Sequence, residues 1–144
     1  MLGNLTQEDV ESILKTEVLG RIGCHANGRT YVVPVTYVYD GERVICHSGR
    51  GDLIRMMRAN PDVCFEVEQI ENLANWRSVV AEGQFEELEG SDATSAAELL
   101  VDRLMPLMAS ATATPQSMTP HGMTTDSVIY SILLGKKSGR YESP

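Results

Sequence analysis

The hydrophobic positions near the N-terminus repeat with a helical period. Val10, Ile13 and Leu14 fall on one face of such a helix. Thr6, followed by Asp9 three residues later, resembles a capping box. The pattern predicts an amphipathic helix over residues 7–16.

From residue 19 the pattern changes to the alternation that is typical of strands. Three apolar runs follow one another, separated by Asn27-Gly28 and Asp40-Gly41. Both dipeptides tolerate positive φ angles, so each run is predicted to pair with the next as a hairpin of an antiparallel meander. Pro34 lies in the middle run and has no N–H, so it requires a sheet edge or a bulge there.

The next part of the chain reads as a helix followed by two strands. Residues 51–59 form a short helix with a glycine start and an Asn60-Pro61 stop. Two strands, DVCFEVEQI and WRSVVAEGQFEEL, follow and are joined by ENLAN. These segments bring the predicted number of strands to about five.

The C-terminal part is predicted to hold one helix and one strand. The helix starts after Gly90 and is kinked or ended by Pro106. Residues 109–126 form a long loop, SVIYSILL is the last strand, and GKKSGRYESP is a basic, polar tail. The long loop is predicted either to cover an active site or to be an ordinary surface loop.

Composition and charge narrow the class of protein. The 144 residues show no repeat and no linker, and 42% are hydrophobic, which predicts a single domain over residues 1–144. The net charge of −8 excludes a general attraction to nucleic acid or to anionic membranes. The chain has no apolar run of transmembrane length and no basic signal-peptide start. We therefore expect a cytoplasmic protein with no membrane partner.

The cysteines and histidines do not predict a metal centre. Three cysteines, Cys24, Cys46 and Cys64, form an odd and widely spaced set that is typical of reduced thiols. The dipeptides Cys24-His25 and Cys46-His47 lie in strands, where neighbouring side chains point to opposite faces, so neither pair can chelate one ion. A mixed site that uses one residue of each pair, with Cys64 or His121, is the alternative.

Three short segments are candidates for binding a ligand. The turn from His47 to Asp52 joins a strand end to a helix start, where backbone N–H groups bind phosphate; alternatively Ser48 or Asp52 simply caps the helix. Trp76 beside Arg77 suits stacking on a planar ligand, or closing one end of a barrel. After Pro34, Thr36 and Tyr37 offer hydroxyls and backbone donors to the polar edge of an aromatic cofactor.

Glu66 and Glu68 alternate with Phe65 and Val67. This period of two is typical of a strand with one wet face. We interpret the two carboxylates as part of a solvated surface rather than as an acid–base pair.

These stretches together resemble the pyridoxamine 5′-phosphate oxidase-related, FMN-binding split-barrel family, and within it the branch of nitroimidazole-resistance proteins. The segments GRIGCHANGRTYVVPVTYVYDGERVICHS, GDLIRMMRANPDVCFEVE and NWRSVVAEGQFEEL carry the resemblance, which covers about residues 5–90. It implies a mainly β (α+β) fold, a six-stranded antiparallel split β-barrel with a few peripheral helices. It also implies a homodimer with two FMN sites in clefts between the subunits.

The resemblance assigns three groups of residues to the FMN site. Along the isoalloxazine ring it places Pro34, Val35, Thr36 and Tyr37. Toward the ribityl phosphate it places His47, Ser48, Gly49, Arg50, Gly51 and Asp52. The strand that lines the cleft, in the same subunit or in its partner, contributes Trp76, Arg77 and Ser78.

One departure from the family pattern concerns the phosphate. Many relatives carry a basic pair where this chain has Asp52 and Leu53. An aspartate there repels a dianionic phosphate unless Arg50, Arg55 or the pair Lys136-Lys137 compensates.

The expected function is that of an FMN-dependent oxidoreductase. Such an enzyme passes electrons from a nicotinamide or another reductant to a small planar substrate, and the flavin carries the redox chemistry. His47 or Tyr37 is the expected proton donor near the ring. The alternatives are a non-catalytic dimeric protein that binds a flavin or haem, and a dimerisation module that has lost its cofactor.

Overall fold

The structure is a computed structural model that describes residues 1–109 and 127–144. Over these residues the chain forms three helices, α1 (Gln7–Thr16), α2 (Asp52–Ala59) and α3 (Gly90–Ala109). The strands are β1 (Leu2–Asn4), β2 (Leu19–Ala26), β3 (Arg29–Thr36), β4 (Val38–Tyr39), β5 (Arg43–Ser48), β6 (Asp62–Asn72), β7 (Asn75–Glu87) and β8 (Val128–Glu142).

The strands form one antiparallel sheet in the order β3-β2-β6-β7-β8-β5-β4, and β1 also pairs with β8. This architecture confirms the predicted mainly β fold of split-barrel type. The described residues form eight strands rather than six, because the count includes the three-residue β1 and the two-residue β4. Strands of two or three residues are too short to show the hydrophobic alternation from which a strand is predicted.

The first hairpin of the predicted meander is confirmed, and the second is confirmed only for the two residues that precede its turn. Asn27 and Gly28 have φ angles of 53° and 76° and connect β2 to β3. The following apolar run divides at Tyr37: β3 pairs with β2, whereas only Val38 and Tyr39 pair with β5. Strands β3 and β4 thus lie at opposite ends of the sheet order although they adjoin in the chain.

Tyr37 divides the run because its side chain enters the core. It is 0% exposed, and its hydroxyl donates to the carbonyl of Leu14 over 2.9 Å. The edge of its ring contacts Phe65, with the ring centres 4.9 Å apart. Its backbone N–H donates to the carbonyl of Val18. A single buried residue therefore connects the two edges of the sheet.

The helices follow their local signals closely. Thr6 caps α1 by accepting a hydrogen bond from the Asp9 N–H over 3.1 Å, as predicted. Helix α2 agrees with the predicted segment. Of the two predicted effects of Pro106, a kink or the end of α3, the second is wrong, since the helix continues through it to Ala109. Proline removes one hydrogen bond, and the packing of the preceding turns on the sheet offsets that loss.

The predicted polar tail is a strand. Strand β8 continues to Glu142 and pairs with β7 along this segment. The alternation there is masked by lysines such as Lys137, whose ammonium group binds Glu11 of α1 at 2.7 Å. The connection between β6 and β7 is also shorter than the predicted ENLAN, because only Leu73 and Ala74 lie between them. Most of the predicted long loop lies outside the described residues.

Two hydrophobic clusters hold the fold together. The larger one fills the barrel and includes Val10, Ile13 and Leu14 of α1. The smaller one joins α3 to the sheet through Ile45, Ala96, Leu100 and Leu104. Neither α3 nor another helix within residues 1–109 and 127–144 is long and apolar enough to span a membrane.

Candidate functional site

A cleft of about 520 Å³ lies where strand β3 meets the end of β5 and the start of α2. We call it the β3–α2 cleft. It brings together seven of the residues that the resemblance assigned to the site, namely Pro34, Val35, Thr36, His47, Ser48, Gly51 and Asp52. Its other lining residues are Leu19, Tyr31, Val33 and Leu53.

Strand β3 supplies one wall of the cleft because it is an edge strand. Pro34 lies opposite Arg21 of β2, and within residues 1–109 and 127–144 no other strand pairs with β3 on its far side. This confirms the prediction that Pro34 requires a sheet edge. An edge strand presents every second N–H and C=O group to its surroundings, so the backbone near Pro34 and Thr36 can hydrogen-bond a ligand.

The start of α2 supplies the opposite end of the cleft. Gly51 is the N-cap residue, and no side chain of the described part of the chain caps the helix. The Ser48 hydroxyl donates to the carbonyl of Gly49 over 3.0 Å, so it does not act as the cap that the alternative interpretation required. The first-turn amides of an uncapped helix are a binding site for anions.

Asp52 at this helix start is neutralised by two arginines. Its carboxylate accepts a hydrogen bond from Arg55 and lies 3.3 Å from Arg29 Nη1. The hydrogen bond from Arg55, with that from Arg29, lowers the pKa of Asp52. Two guanidinium groups and one carboxylate leave a surplus positive charge beside the cleft. Arg55, one of the residues expected to compensate for Asp52, and Arg29 both contact the Asp52 carboxylate.

The other proposed compensating residues do not line the cleft. Lys137 is engaged with Glu11 and with the hydroxyl of Tyr39, at 2.7 Å and 3.2 Å. Gly49 and Arg50 are exposed in the turn between β5 and α2. They lie next to the cleft in the chain without lining it.

The two candidate proton donors have different positions. His47 is half-buried and lines the cleft. The Tyr37 phenol lies in the core instead, and burial raises its pKa far above the ordinary value. The structure thus removes the Tyr37 side chain from the cleft and leaves His47 there.

Trp76 and Arg77 lie in a separate recess of about 560 Å³ at the hairpin of β6 and β7. The two cavities share no lining residue. Ser78 lies further along β7, where its hydroxyl bonds Glu66 over 3.2 Å. Within one subunit the third group of predicted residues is therefore not brought into the β3–α2 cleft.

Glu66 and Glu68 form a charge cluster rather than a freely solvated surface. Arg21 Nη1 lies 2.7 Å from Glu68 and 3.4 Å from Glu66. The two carboxyl side chains are only 24% and 27% exposed. Burial, together with the neighbouring Glu68, raises the pKa of Glu66 to about 7. The two carboxylates lie on the outward face of β6, as the period of two predicts, but they are mostly covered there because they share one guanidinium group.

A third cavity, of about 400 Å³, adjoins the cleft. Thr36 and His47 line both cavities. The remaining lining residues are apolar and come mostly from α3: Val18, Leu100, Leu104, Leu107 and Met108. We call it the α3 pocket.

The cysteines behave as separate thiols. Cys24 and Cys46 are buried, Cys64 is exposed, and all three are free. Burial raises the pKa of Cys46 to about 12. The ring of His25 is hydrogen-bonded to Thr30 at 2.9 Å. Among the residues that the structure describes, no group of three or more potential ligands is arranged to hold a metal ion.

The sequence interpretation missed Arg29, Tyr31 and the wall formed by α3. Arg29 lies 4.7 Å above the centre of the Tyr31 ring, and Tyr31 lines the cleft. Tyr31 shares its face of β3 with Val35, so the period of two could have identified it. Arg29 and the leucines of α3 reach the site only through tertiary packing, for which the sequence offers no local signal.

Comparison with known proteins identifies similar families and folds. A family model described as pyridoxamine 5′-phosphate oxidase matches residues 6–140. An FAD-binding protein from Mesorhizobium loti is 27% identical, with 99% of each chain covered and a TM-score of 0.79. A candidate 5-nitroimidazole antibiotic resistance protein from Bacteroides thetaiotaomicron has 17% identity and a TM-score of 0.71, covering 98% of this chain and 87% of that one.

A curated relative, an uncharacterized protein of Rhizobium meliloti, is 32% identical over 84 residues. The match covers 58% of this chain and 56% of the relative. The chain thus spans little more than half of that relative's length. The nitroimidazole-resistance protein, at its level of identity, supports the fold alone.

Proposed function

The chain belongs to the pyridoxamine 5′-phosphate oxidase family, and on that premise we propose that it is an FMN-dependent oxidoreductase acting on a small planar substrate. We propose further that it works as a cytoplasmic homodimer with its two sites between the subunits. The observation that carries the proposal is the β3–α2 cleft, which combines an exposed strand edge with an uncapped helix start. Its volume of about 520 Å³ lies in the range of small-molecule sites.

The residues of the cleft fit the two ends of FMN. At one end, the first amides of α2 and the surplus positive charge of Arg29 and Arg55 suit a phosphate. At the other end, the β3 edge around Pro34, Val35 and Thr36 suits the polar rim of the isoalloxazine ring. When bound, FMN supplies two-electron redox chemistry, and the protein must bind it, orient it and exclude water. His47 is the side chain placed to hold or deliver a proton beside the ring.

The homodimer is supported by the outward face of β3, β2, β6 and β7. Register places Pro34, Arg21, Glu66 and Val80 in one row across these strands. The face also exposes large apolar side chains, with Leu19 53%, Val32 62%, Ile70 65% and Val80 47% exposed. Exposed apolar residues grouped in this way are typical of a protein interface.

Trp76 lies on this same face, because it pairs with Ile70 two strands from β2. In a twofold dimer on this face, each subunit presents Trp76 to its partner. Supply by the partner subunit explains why the two groups of predicted residues occupy separate recesses of one chain.

The first test is a titration of the apoprotein with FMN, FAD and riboflavin, followed by flavin fluorescence. We expect FMN to bind with 1:1 stoichiometry per subunit and riboflavin to bind more weakly, because it lacks the phosphate. Bound flavin that is reduced by a nicotinamide under anaerobic conditions supports the oxidoreductase. A protein that binds none of the three flavins contradicts the proposal.

The second test asks whether Trp76 acts in the partner's site. The variants Arg29→Gln and Trp76→Ala are each expected to bind FMN weakly. After they are unfolded and refolded together, half of the subunits lie in mixed dimers if pairing is random. Each mixed dimer then has one site with both residues intact, so about a quarter of all sites regain full affinity. No recovery contradicts a site that is shared between subunits.

The non-catalytic alternative makes different predictions. A protein that binds flavin tightly, but whose flavin is not reduced by a nicotinamide and, once reduced by dithionite, is not reoxidised by small planar acceptors under anaerobic conditions, is a carrier rather than an oxidoreductase. A Soret band after addition of haem identifies the haem-binding alternative. His47, which lines the cleft, is the candidate ligand of the haem iron.

A further inference from the structure

The α3 pocket differs from the cleft beside it in its chemistry. Five of its lining residues are apolar, and Thr36 and His47 are the polar ones among the described residues. The described lining residues include no carboxylate, lysine or arginine. Its volume of about 400 Å³ lies within the range of small-ligand sites.

One face of α3 forms the wall of this pocket. Leu100, Leu104, Leu107 and Met108 recur at helical spacing, so they project from the same side of the helix. The first two are 0% and 8% exposed and belong to the smaller hydrophobic cluster. Leu107 and Met108 continue the same stripe but remain 46% and 39% exposed. An apolar stripe that passes from core to surface at a cavity is typical of a ligand-binding wall.

The wall is held in a defined position. Arg103 donates a hydrogen bond from Nη2 to the carbonyl of Thr16 over 2.8 Å, which connects α3 to the end of α1. Ile45 and Leu100 pack in the same cluster beneath the helix. Methionine at the open end can adapt to ligands of different shape, because its side chain is unbranched and polarisable.

The pocket and the cleft meet at Thr36 and His47. A compound in the pocket therefore lies beside whatever occupies the cleft. We propose that the α3 pocket is the substrate site, and that the substrate is an uncharged, largely apolar compound with one or two fused rings. A carboxylate or phosphate on the buried part of the substrate is disfavoured, since the described lining holds no lysine or arginine to pair with it and desolvation of a charge is costly. The assignment as a substrate site rests on the proposed flavin-dependent function.

The binding test uses two fluorescent probes that share one skeleton. N-phenyl-1-naphthylamine is uncharged, and 8-anilinonaphthalene-1-sulfonate carries a sulfonate on the same rings. We expect the uncharged probe to bind about tenfold more tightly or better at pH 8. Equal affinity for both probes, or tighter binding of the sulfonate, overturns the proposed substrate class.

Matched substitutions on α3 locate the bound probe. Leu107→Glu places a charge in the pocket, whereas Leu99→Glu places it on the same helix outside the pocket, at a residue of similar exposure, 44% against 46%. We expect the first variant to weaken binding of the uncharged probe about tenfold and the second to change it less than about twofold. Similar effects in both variants, or no effect in either, contradict the assignment. If Leu107→Glu fails to fold by circular dichroism, Met108→Glu replaces it.

A third measurement separates this inference from the proposed function. The Leu107→Glu and Leu99→Glu comparison is made on the apoprotein and on the protein loaded with FMN. Quenching of the bound probe by FMN supports a substrate site beside the flavin. Probe binding with no quenching, although FMN is bound, overturns the placement beside the cleft. If the protein binds the probe but binds no flavin, the proposed flavin-dependent function fails, and the assignment of the pocket as a substrate site fails with it. Weaker probe binding by Leu107→Glu would then still show that the pocket binds an apolar ligand.

Discussion

The Arg29 guanidinium lies 3.3 Å from the Asp52 carboxylate, so an ion pair joins the first residue of β3 to the first residue of α2. Arg29 also lies over the ring of Tyr31, 4.7 Å from its centre. The two contacts hold a positive charge at the α2 end of the β3–α2 cleft. They also make Asp52 a partner of that charge.

Arg29→Gln is expected to weaken FMN binding about tenfold and to leave riboflavin binding unchanged, because only FMN carries a phosphate. Fluorescence titration of both flavins at low ionic strength measures the two effects. Equal losses for the two flavins show a general disturbance of the cleft and contradict a phosphate role. Arg43→Gln serves as a control, since Arg43 is paired with Glu86 and Ser131 away from the cleft.

Asp52→Asn is expected to tighten FMN binding about threefold, again with no change for riboflavin. The substitution removes the anion that Arg29 and Arg55 now share, so both guanidinium groups become available to the phosphate. The gain should shrink as salt is added, because all three groups are exposed. Weaker FMN binding by the variant would mean that Asp52 serves chiefly to position the arginines.

Glu66→Gln is expected to raise stability at pH 8 by about 1 kcal/mol, a figure discounted for solvent screening of the half-exposed cluster. The pKa of Glu66 is raised to about 7 by burial and by Glu68. The folded state therefore binds a proton more strongly than the unfolded chain does, and stability falls as pH rises from about 4.5 to about 7. Urea unfolding at pH 5 and pH 8 measures this, and the gain should be smaller at pH 5.

Glu68→Gln is the matched control for that experiment. Glu68 forms the shorter contact with Arg21 and its pKa is lowered, chiefly by the hydrogen bond with Glu66. Its contribution to stability is present above its unfolded pKa, so this variant should lose stability at pH 8 rather than gain it. Stabilisation of the same size in both variants contradicts the assignment of the raised pKa to Glu66.

Lys137→Met is expected to destabilise the fold by about 1 kcal/mol at pH 7. Burial raises the pKa of Glu11, but the hydrogen bonds from Lys137 and Tyr39 outweigh it and leave that pKa lowered. The contribution is present above the unfolded pKa of Glu11 and is lost as the pH falls through its folded pKa. Lys136→Met, at the exposed neighbouring position, should change the free energy of unfolding by less than about 0.5 kcal/mol. Equal effects at the two lysines disprove the importance of the Glu11 pair.

Gly83→Ala is expected to destabilise the protein by about 1–3 kcal/mol. A Cβ atom at this buried position would overlap the Cγ2 of Ile132, which is itself 0% exposed. Gly135→Ala offers the comparison, because its Cβ would meet only the Glu82 carbonyl, at 3.8 Å. Thermal unfolding should separate the two variants by several degrees.

The sequence predicts the elements whose signals are local. The Thr6 cap defines the start of α1, and Asn27-Gly28 defines the first hairpin. The division at Tyr37 is not predictable in this way, because both halves of the run alternate alike and only the core decides which edge each half joins. The strand after residue 134 is hidden for a related reason, since its lysines and arginines are satisfied by partners such as Glu11.

The residues of the candidate site also fall into those that local sequence patterns could predict and those that they could not. The residues from Pro34 to Thr36 and from His47 to Asp52 could be grouped from sequence, because each group is a short local motif at a strand edge or helix start. Arg29 reaches Asp52 from a different strand, and Leu104 reaches the α3 pocket from a helix far along the chain. Such contacts depend on tertiary packing, which local periodicity does not encode.

The buried connection at Tyr37 also has a kinetic consequence. Tyr37 lies between the two edge strands β3 and β4 in the chain, so neither strand can detach from the sheet without exposing the Tyr37 ring. The pairings it joins bring together distant parts of the chain, and such topologies fold slowly and in one concerted event. Its amide proton, bonded to Val18, should therefore be among the last to exchange with deuterium, at a rate set by complete unfolding.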